Sequence, residues 1–254
     1  MRAAADQAIK TLTSVLGSWS EVTAIGLTSQ GEDLYDPYYS LSLDVYTRGP
    51  VRDADARETE FGEVGAFETS LLTAKDRFLM GEIPVRIEYK LTDRFDELVA
   101  AALDGECELR DSGTYAFRRV QDAKILVSEG EWFETIRSSL TELPNEFWDE
   151  LRRSQESTVE HLFADLSAAA MREDSFYFLT SAGRFLAQLC ALLFTINRRF
   201  EPPPRTLRDE VLSLPALPDS FPANLENFVT SGHGLSMSQR RELAEIMITS
   251  VLSL

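Results

Sequence analysis

The stretch that decides the fold runs from Ile25 to Gly49, IGLTSQGEDLYDPYYSLSLDVYTRG. It opens inside a short β-type run, Val22–Leu27, which contains Gly26. Thr28–Asp36 gathers Gly, Asp and Ser and reads as a loop. Leu41, Leu43 and Val45 then alternate with Ser42, Asp44 and Tyr46. That is strand period, and it sets Ser42 and Asp44 on one face. Arg48-Gly49-Pro50 closes the strand.

A second alternating run, PVRIEYKL over Pro84–Leu91, lies further on. Val85, Ile87 and Tyr89 take one face; Arg86, Glu88 and Lys90 take the other. Around these runs the chain alternates helix and strand. Residues 3–16 place Ala4, Ile9, Leu12, Val15 and Leu16 at helical spacing, ending near Gly17. Residues 53–65 are acidic and read as a surface segment. Gly65–Met80 mixes helix formers with a polar face. Phe95–Leu103 predicts a short helix and Thr114–Val127 one or two strands. From Trp132 onward the period is helical: Trp132, Ile136 and Leu140 are spaced by four, and Pro144 opens a helix through Phe147 and Leu151. Longer helical patterns follow over Ser157–Ala170 and Ser175–Phe200. The run Pro202-Pro203-Pro204 breaks the chain. Leu207–Leu214 and Ser238–Leu252 predict two more helices, the last capped by Ser236 or Ser238. The layout is α+β: a mixed sheet with flanking helices over residues 1–130, then an all-α bundle over 131–254.

Charge narrows the functions available. With 25 Lys+Arg against 42 Asp+Glu the net charge is −17, and both halves are acidic. A broad phosphate-backbone footprint needs clustered cations, so DNA or RNA is not an expected partner. A small anion held by a few arginines fits the balance. Cys107 and Cys190 have no zinc or redox spacing, which suggests a reducing, cytoplasmic setting. His161 and His233 read as surface residues, too few for a histidine-rich metal site. The N-terminus shows no secretory h-region, and the apolar stretch Phe185–Ile196 is too short to cross a bilayer. No membrane role is expected, and the oligomeric state is left open.

The polar loop after the first strand and the carboxylates on two later strands are the chemically suggestive set. Mg²⁺ takes hard oxygen ligands, often one or two carboxylates plus phosphate oxygens. It neutralises charge and aligns attack at phosphorus. Loop N–H groups and a serine hydroxyl hold phosphates. Gly26 and Ser29 are therefore candidate phosphate ligands, and Asp44 and Glu88 candidate metal ligands.

These residues resemble the nucleotidyltransferase superfamily, the fold of polymerase-beta-like enzymes and antibiotic nucleotidyltransferases. Its members carry Gly-Ser after the first strand, Asp-x-Asp on the next and a third carboxylate later. The likeness extends to Ile125–Pro144, similar to the segment joining the two domains. It extends also to Phe185–Pro218, similar to the helical domain of stand-alone branches. The resemblance implies an NTP substrate, Mg²⁺, transfer of a nucleoside monophosphate to a small-molecule or protein acceptor, and a ligand site in the cleft between the domains. It gives Asp44 a metal role and Glu88 a metal or general-base role. It sets Gly26, Ser29 and Ser42 near the phosphates, and places Arg198 or Arg205 over the triphosphate.

The chain departs from the pattern at one decisive place. Ser42-Leu43-Asp44 stands where the family has Asp-x-Asp, and Leu27 and Thr28 separate Gly26 from Ser29. A neutral hydroxyl does not offset metal charge as a carboxylate does; Asp33 or Asp36 would have to reach in. The second reading is therefore a catalytically impaired relative, a nucleotide-binding or protein-interaction module. Simpler roles stand beside the functional ones. Asn197-Arg198-Arg199 suits a helix C-terminal cap; Lys75 and Arg77 suit the surface; Phe176, Tyr177, Phe178 and Phe185 suit a core; Trp132 and Trp148 suit interdomain packing.

Overall fold

The computed structural model describes residues 2–29, 36, 38–70, 74–106, 113–230 and 234–254. Asp33, Cys107 and His233 lie outside the described residues. In chain order the elements are α1 (Arg2–Gly17), β1 (Val22–Leu27), β2 (Leu41–Thr47), α2 (Ala54–Phe61), β3 (Gly65–Ser70), β4 (Lys75–Met80), β5 (Ile83–Leu91), α3 (Thr92–Leu103), α4 (Tyr115–Asp122) and β6 (Lys124–Ser128). Then come α5 (Trp132–Thr141), α6 (Asn145–Met171), α7 (Ser175–Ile196), α8 (Leu207–Leu212), α9 (Phe221–Val229) and α10 (Met237–Leu252). The chain divides into two compact units. One is Met1–Leu103 with Arg119–Glu142; the other is Asp104–Arg118 with Leu143–Leu254.

The first unit is built on a mixed sheet with strand order β3-β4-β5-β2-β1-β6. Only β2 and β5 run parallel among these neighbours; the other pairs are antiparallel. One face is apolar. Leu12 and Leu16 of α1 pack with Leu41, Leu43, Val45, Val85 and Ile87. Ala5 and Ala8 are small enough to let α1 lie close to the strands. On the opposite face Tyr46 is covered by Phe95, Trp132 and Phe133, so Trp132 packs within this unit.

The second unit is helical. Its core gathers Val159, Leu162 and Leu166 of α6, Phe185, Leu189 and Leu193 of α7, Phe221 and Leu225 of α9, and Ala244 and Met247 of α10. Trp148 stacks on Phe200 at 5.6 Å within the same unit. Asp174 caps α7 by accepting from the Tyr177 amide, and Ser236 with Gln239 forms a reciprocal capping box on α10. Among the described residues, α7 is long and apolar enough to cross a membrane, but over half of its apolar window is buried in the protein's own core.

Several local expectations are corrected. The acidic segment 53–65 contains a helix, started by Asp53 accepting from the Ala56 amide. Gly65–Ser70 and Lys75–Met80 are paired antiparallel strands, not a helical stretch. Their alternation was hidden because an inward position of β4 is a charge: Asp76 is fully buried. It is held by Arg57 at 2.8 Å through two bonds and by the Tyr89 hydroxyl at 2.8 Å. Residues 115–122 are helical because Phe117 and Val120, three apart, are both fully buried. The helix opened by Pro144 continues unbroken to Met171. Phe176, assigned to the core by spacing, is 78% exposed.

Candidate functional site

Strand register places the candidate residues in rows across one face of the sheet. In one row Glu68, Arg77, Arg86 and Ser42 are successive cross-strand partners. In the next, Ser70, Lys75, Glu88, Asp44 and Gly26 follow one another. Tyr46 and Lys90 begin a third. Asp44 and Glu88, about forty residues apart in sequence, thus become neighbours through the parallel β2–β5 pairing.

Asp44 is completely buried. Its Oδ1 accepts from Arg119 Nη2 at 2.5 Å, and its Oδ2 accepts from Arg119 Nε at 2.8 Å and Lys90 Nζ at 2.6 Å. The arginine contact is bidentate, the geometry that matches a carboxylate best. Burial would raise the Asp44 carboxyl, but the charges and hydrogen bonds of Lys90 and Arg119 outweigh it and hold it below the ordinary value. The Tyr46 phenol is pushed well above its ordinary value by burial, with the Asp44 charge adding to it. Glu88 is half-buried and takes Arg86 Nη2 at 2.6 Å and Lys75 Nζ at 3.2 Å on Oε1. Burial raises its carboxyl and Asp44 adds to that, but Arg119, Lys90 and Lys75 together bring it below the ordinary value.

The loop after β1 is tied to β2. The Thr28 amide and hydroxyl both donate to the Ser42 carbonyl, at 2.9 and 3.1 Å. Ser29 Oγ accepts from the Ser42 amide at 3.1 Å, and Ser29 is buried. Arg119 Nη2 also donates to Thr28 Oγ1 at 3.2 Å. Ser42 Oγ lies 3.3 Å from Ser40 Oγ. Gly26 has a packing role: a Cβ there would stand 3.0 Å from both Ala123 Cβ and Phe133 Cζ.

Asp44 and Glu88 are the pair a divalent cation would need, but their surroundings do not fit one. Both Asp44 oxygens are already hydrogen-bonded to cations, and Glu88 carries two more. Four cations face two carboxylates, an arrangement that repels a metal ion and attracts an anion. Among the described residues no group of three His, Cys, Asp or Glu is set to hold a metal. The row beside it strengthens the cationic character. Arg77 stands directly opposite Arg86, with Glu68 facing Arg77 from β3 and Glu88 holding Arg86. A hollow of about 230 Å³ adjoins it, lined by Glu68, Thr69, Ser70, Lys75 and Arg77. Sequence reasoning missed Arg119 because it was expected in a strand. Lys90, Lys75 and Arg86 had a signal, their two-residue alternation with Glu88 or their register against it.

Arg198 and Arg205 belong to the second unit. Arg198 sits at φ 51°, just after α7. Its amide donates to Thr195, and the Arg199 amide donates to Phe194, which closes the helix in a Schellman arrangement. Asn197 stitches this corner to Ala216, donating to its carbonyl at 2.9 Å and accepting from its amide at 2.8 Å. A left-handed backbone favours glycine, so Arg198→Gly is expected to stabilise the chain by about 0.5–1 kcal/mol. Chemical denaturation measures it; destabilisation would mean that the exposed Arg198 side chain contributes to the fold. Arg205 follows the proline run, exposed, in the turn before α8.

A family described as "Domain of unknown function (DUF4037)" matches residues 113–205. No curated protein matches the chain. The chain is similar in structure to a nucleotidyltransferase-like protein from Exiguobacterium sibiricum 255-15, with a TM-score of 0.53 at 15% identity. The match covers 97% of this chain and 74% of that one. The six-stranded mixed sheet with flanking helices, followed by a helical region, is therefore a nucleotidyltransferase-like fold.

Proposed function

We propose that this chain is a catalytically impaired nucleotidyltransferase-fold protein that binds the phosphates of a nucleotide directly through arginine and lysine. The observation that carries this reading is the occupation of Asp44. Arg119 and Lys90 stand where a metal would have to approach, at 2.5–2.8 Å from the carboxylate oxygens. Ser42, facing Arg86 across the strands, offers a hydroxyl where a second carboxylate would be needed. Arg77, Arg86 and Lys75 supply charge and donors for phosphate oxygens in an otherwise acidic molecule.

Calorimetric titration with ATP and the other nucleoside triphosphates, in Mg²⁺ and in EDTA, tests the reading. Binding is expected to persist in EDTA and to weaken at least tenfold in Arg86→Ala, which removes a charge-assisted contact. No pyrophosphate release is expected. Absence of binding at millimolar nucleotide would overturn the proposal. Mg²⁺-dependent binding with pyrophosphate release would favour the alternative, nucleotidyl transfer to a small-molecule or protein acceptor. The in-register Asp44 and Glu88 are what speaks for that alternative.

A further inference from the structure

We propose that the exposed face of α7 is a homomeric contact, packing antiparallel against the same face of a second copy of this chain. Phe176 and Leu179 of α7 are 78% and 71% exposed, and Met171, at the adjoining end of α6, is 85% exposed. Three large apolar side chains at one helical corner are more than scattered surface residues. Phe176, Thr180, Gly183 and Ala187 recur at intervals of four, three and four, so they share one face of the helix, with Leu179 beside them. All five are exposed.

Gly183 points to what covers the face. A Cβ added there meets nothing within 4 Å, so nothing in the single chain requires glycine. Glycine inside a helix is otherwise unfavourable. A second helix laid closely across the notch would use it. In an antiparallel pair crossing between residues 179 and 180, Phe176 of each copy lies opposite Gly183 of the other. A large side chain then meets a notch twice, as a two-fold contact requires.

Local charge complementarity at this face points to a second copy. The molecule carries −17 and repels itself wherever acidic surfaces meet. Around this face Arg172 and Arg184 balance Glu173 and Asp174. Antiparallel packing brings the acidic turn Glu173–Asp174 of one copy level with Arg184 of the other, given the helical rise per residue. An anionic membrane surface finds no such cationic excess here.

Sedimentation velocity on the full chain, from about 1 µM to about 1 mM, reads the contact. A concentration-dependent dimer is expected. Leu179→Glu and Gly183→Arg should each weaken it at least tenfold while leaving far-UV circular dichroism unchanged. In a Cys107→Ser background, Leu179→Cys should form a disulfide-linked dimer with an added mild oxidant, because that position lies next to the two-fold axis. Cys190 does not compete: it is buried, and burial with the nearby Glu201 charge pushes its thiol up to about 12. A chain that stays monomeric throughout overturns the proposal. So does a dimer that both surface substitutions leave intact, or a monomer that instead co-floats with anionic lipid vesicles.

Discussion

Asp44→Asn lowers the unfolding free energy by about 3–5 kcal/mol, the expected cost of breaking one side of a buried ion pair. The amide keeps the size of the side chain but takes from Arg119 and Lys90 the charged carboxylate they are hydrogen-bonded to. Their side chains are only 11% and 21% exposed, so water restores little of what is lost. The direction is diagnostic. A carboxylate kept for metal binding is held among like charges, and neutralising it commonly stabilises the metal-free protein at the expense of activity. A carboxylate kept for its cations does the opposite. The pH dependence follows from the depressed Asp44 carboxyl. A group ionised more readily in the folded than the unfolded state contributes stability above its unfolded value, about pH 4. That contribution is lost as pH falls through the lower folded value. Asp44→Asn should therefore flatten the acid limb of the stability profile. Urea midpoints at pH 7 and pH 3 measure both effects; a variant as stable as the parent at pH 7 would remove the ion-pair account of Asp44.

The same pair of strands explains what was legible in the sequence. β2 and β5 were readable because their apolar residues alternate on the side covered by α1, and β1 as a short β-type run. The sheet side of Ser42, Asp44, Arg86, Glu88 and Lys90 was readable for the same reason. What the period cannot express is which strand lies beside which. The β2–β5 register turns two separate acids into neighbours and brings Lys75 in from β4. Arg119 was out of reach because α4 is held by burial of Phe117 and Val120 rather than by a long periodic pattern. β4 was hidden by Asp76, whose inward charge is satisfied by Arg57 from α2 and Tyr89 from β5. Phe176 shows the converse error, since helical spacing locates a face without saying what covers it.

Gly113→Ala is expected to destabilise the chain by about 3 kcal/mol, combining a left-handed backbone with a displaced, half-buried and hydrogen-bonded carboxylate. Gly113 has φ 53°, and a Cβ there would stand within contact of Glu201 Oε1, far inside van der Waals distance. The clash falls on the far end of a side chain, but that end is not free to yield. Glu201 Oε1 accepts from the Thr114 amide at 3.2 Å and lies 3.4 Å from its hydroxyl, and the Glu201 amide donates back to Thr114 Oγ1 at 2.8 Å. Burial raises the Glu201 carboxyl, and the Thr114 bonds offset this only in part. Moving the carboxylate would take from the Thr114 amide its acceptor, Glu201 Oε1. This clasp joins residues near the two ends of the matched segment 113–205, so its strength sets how firmly that segment closes on itself. Glu201→Ala removes the obstructing atoms. The double variant should therefore recover part of the loss, leaving mainly the backbone strain of about 1–2 kcal/mol. Denaturation of the two single variants and the double variant completes the cycle. Strictly additive effects would mean that Gly113 and Glu201 do not act on each other.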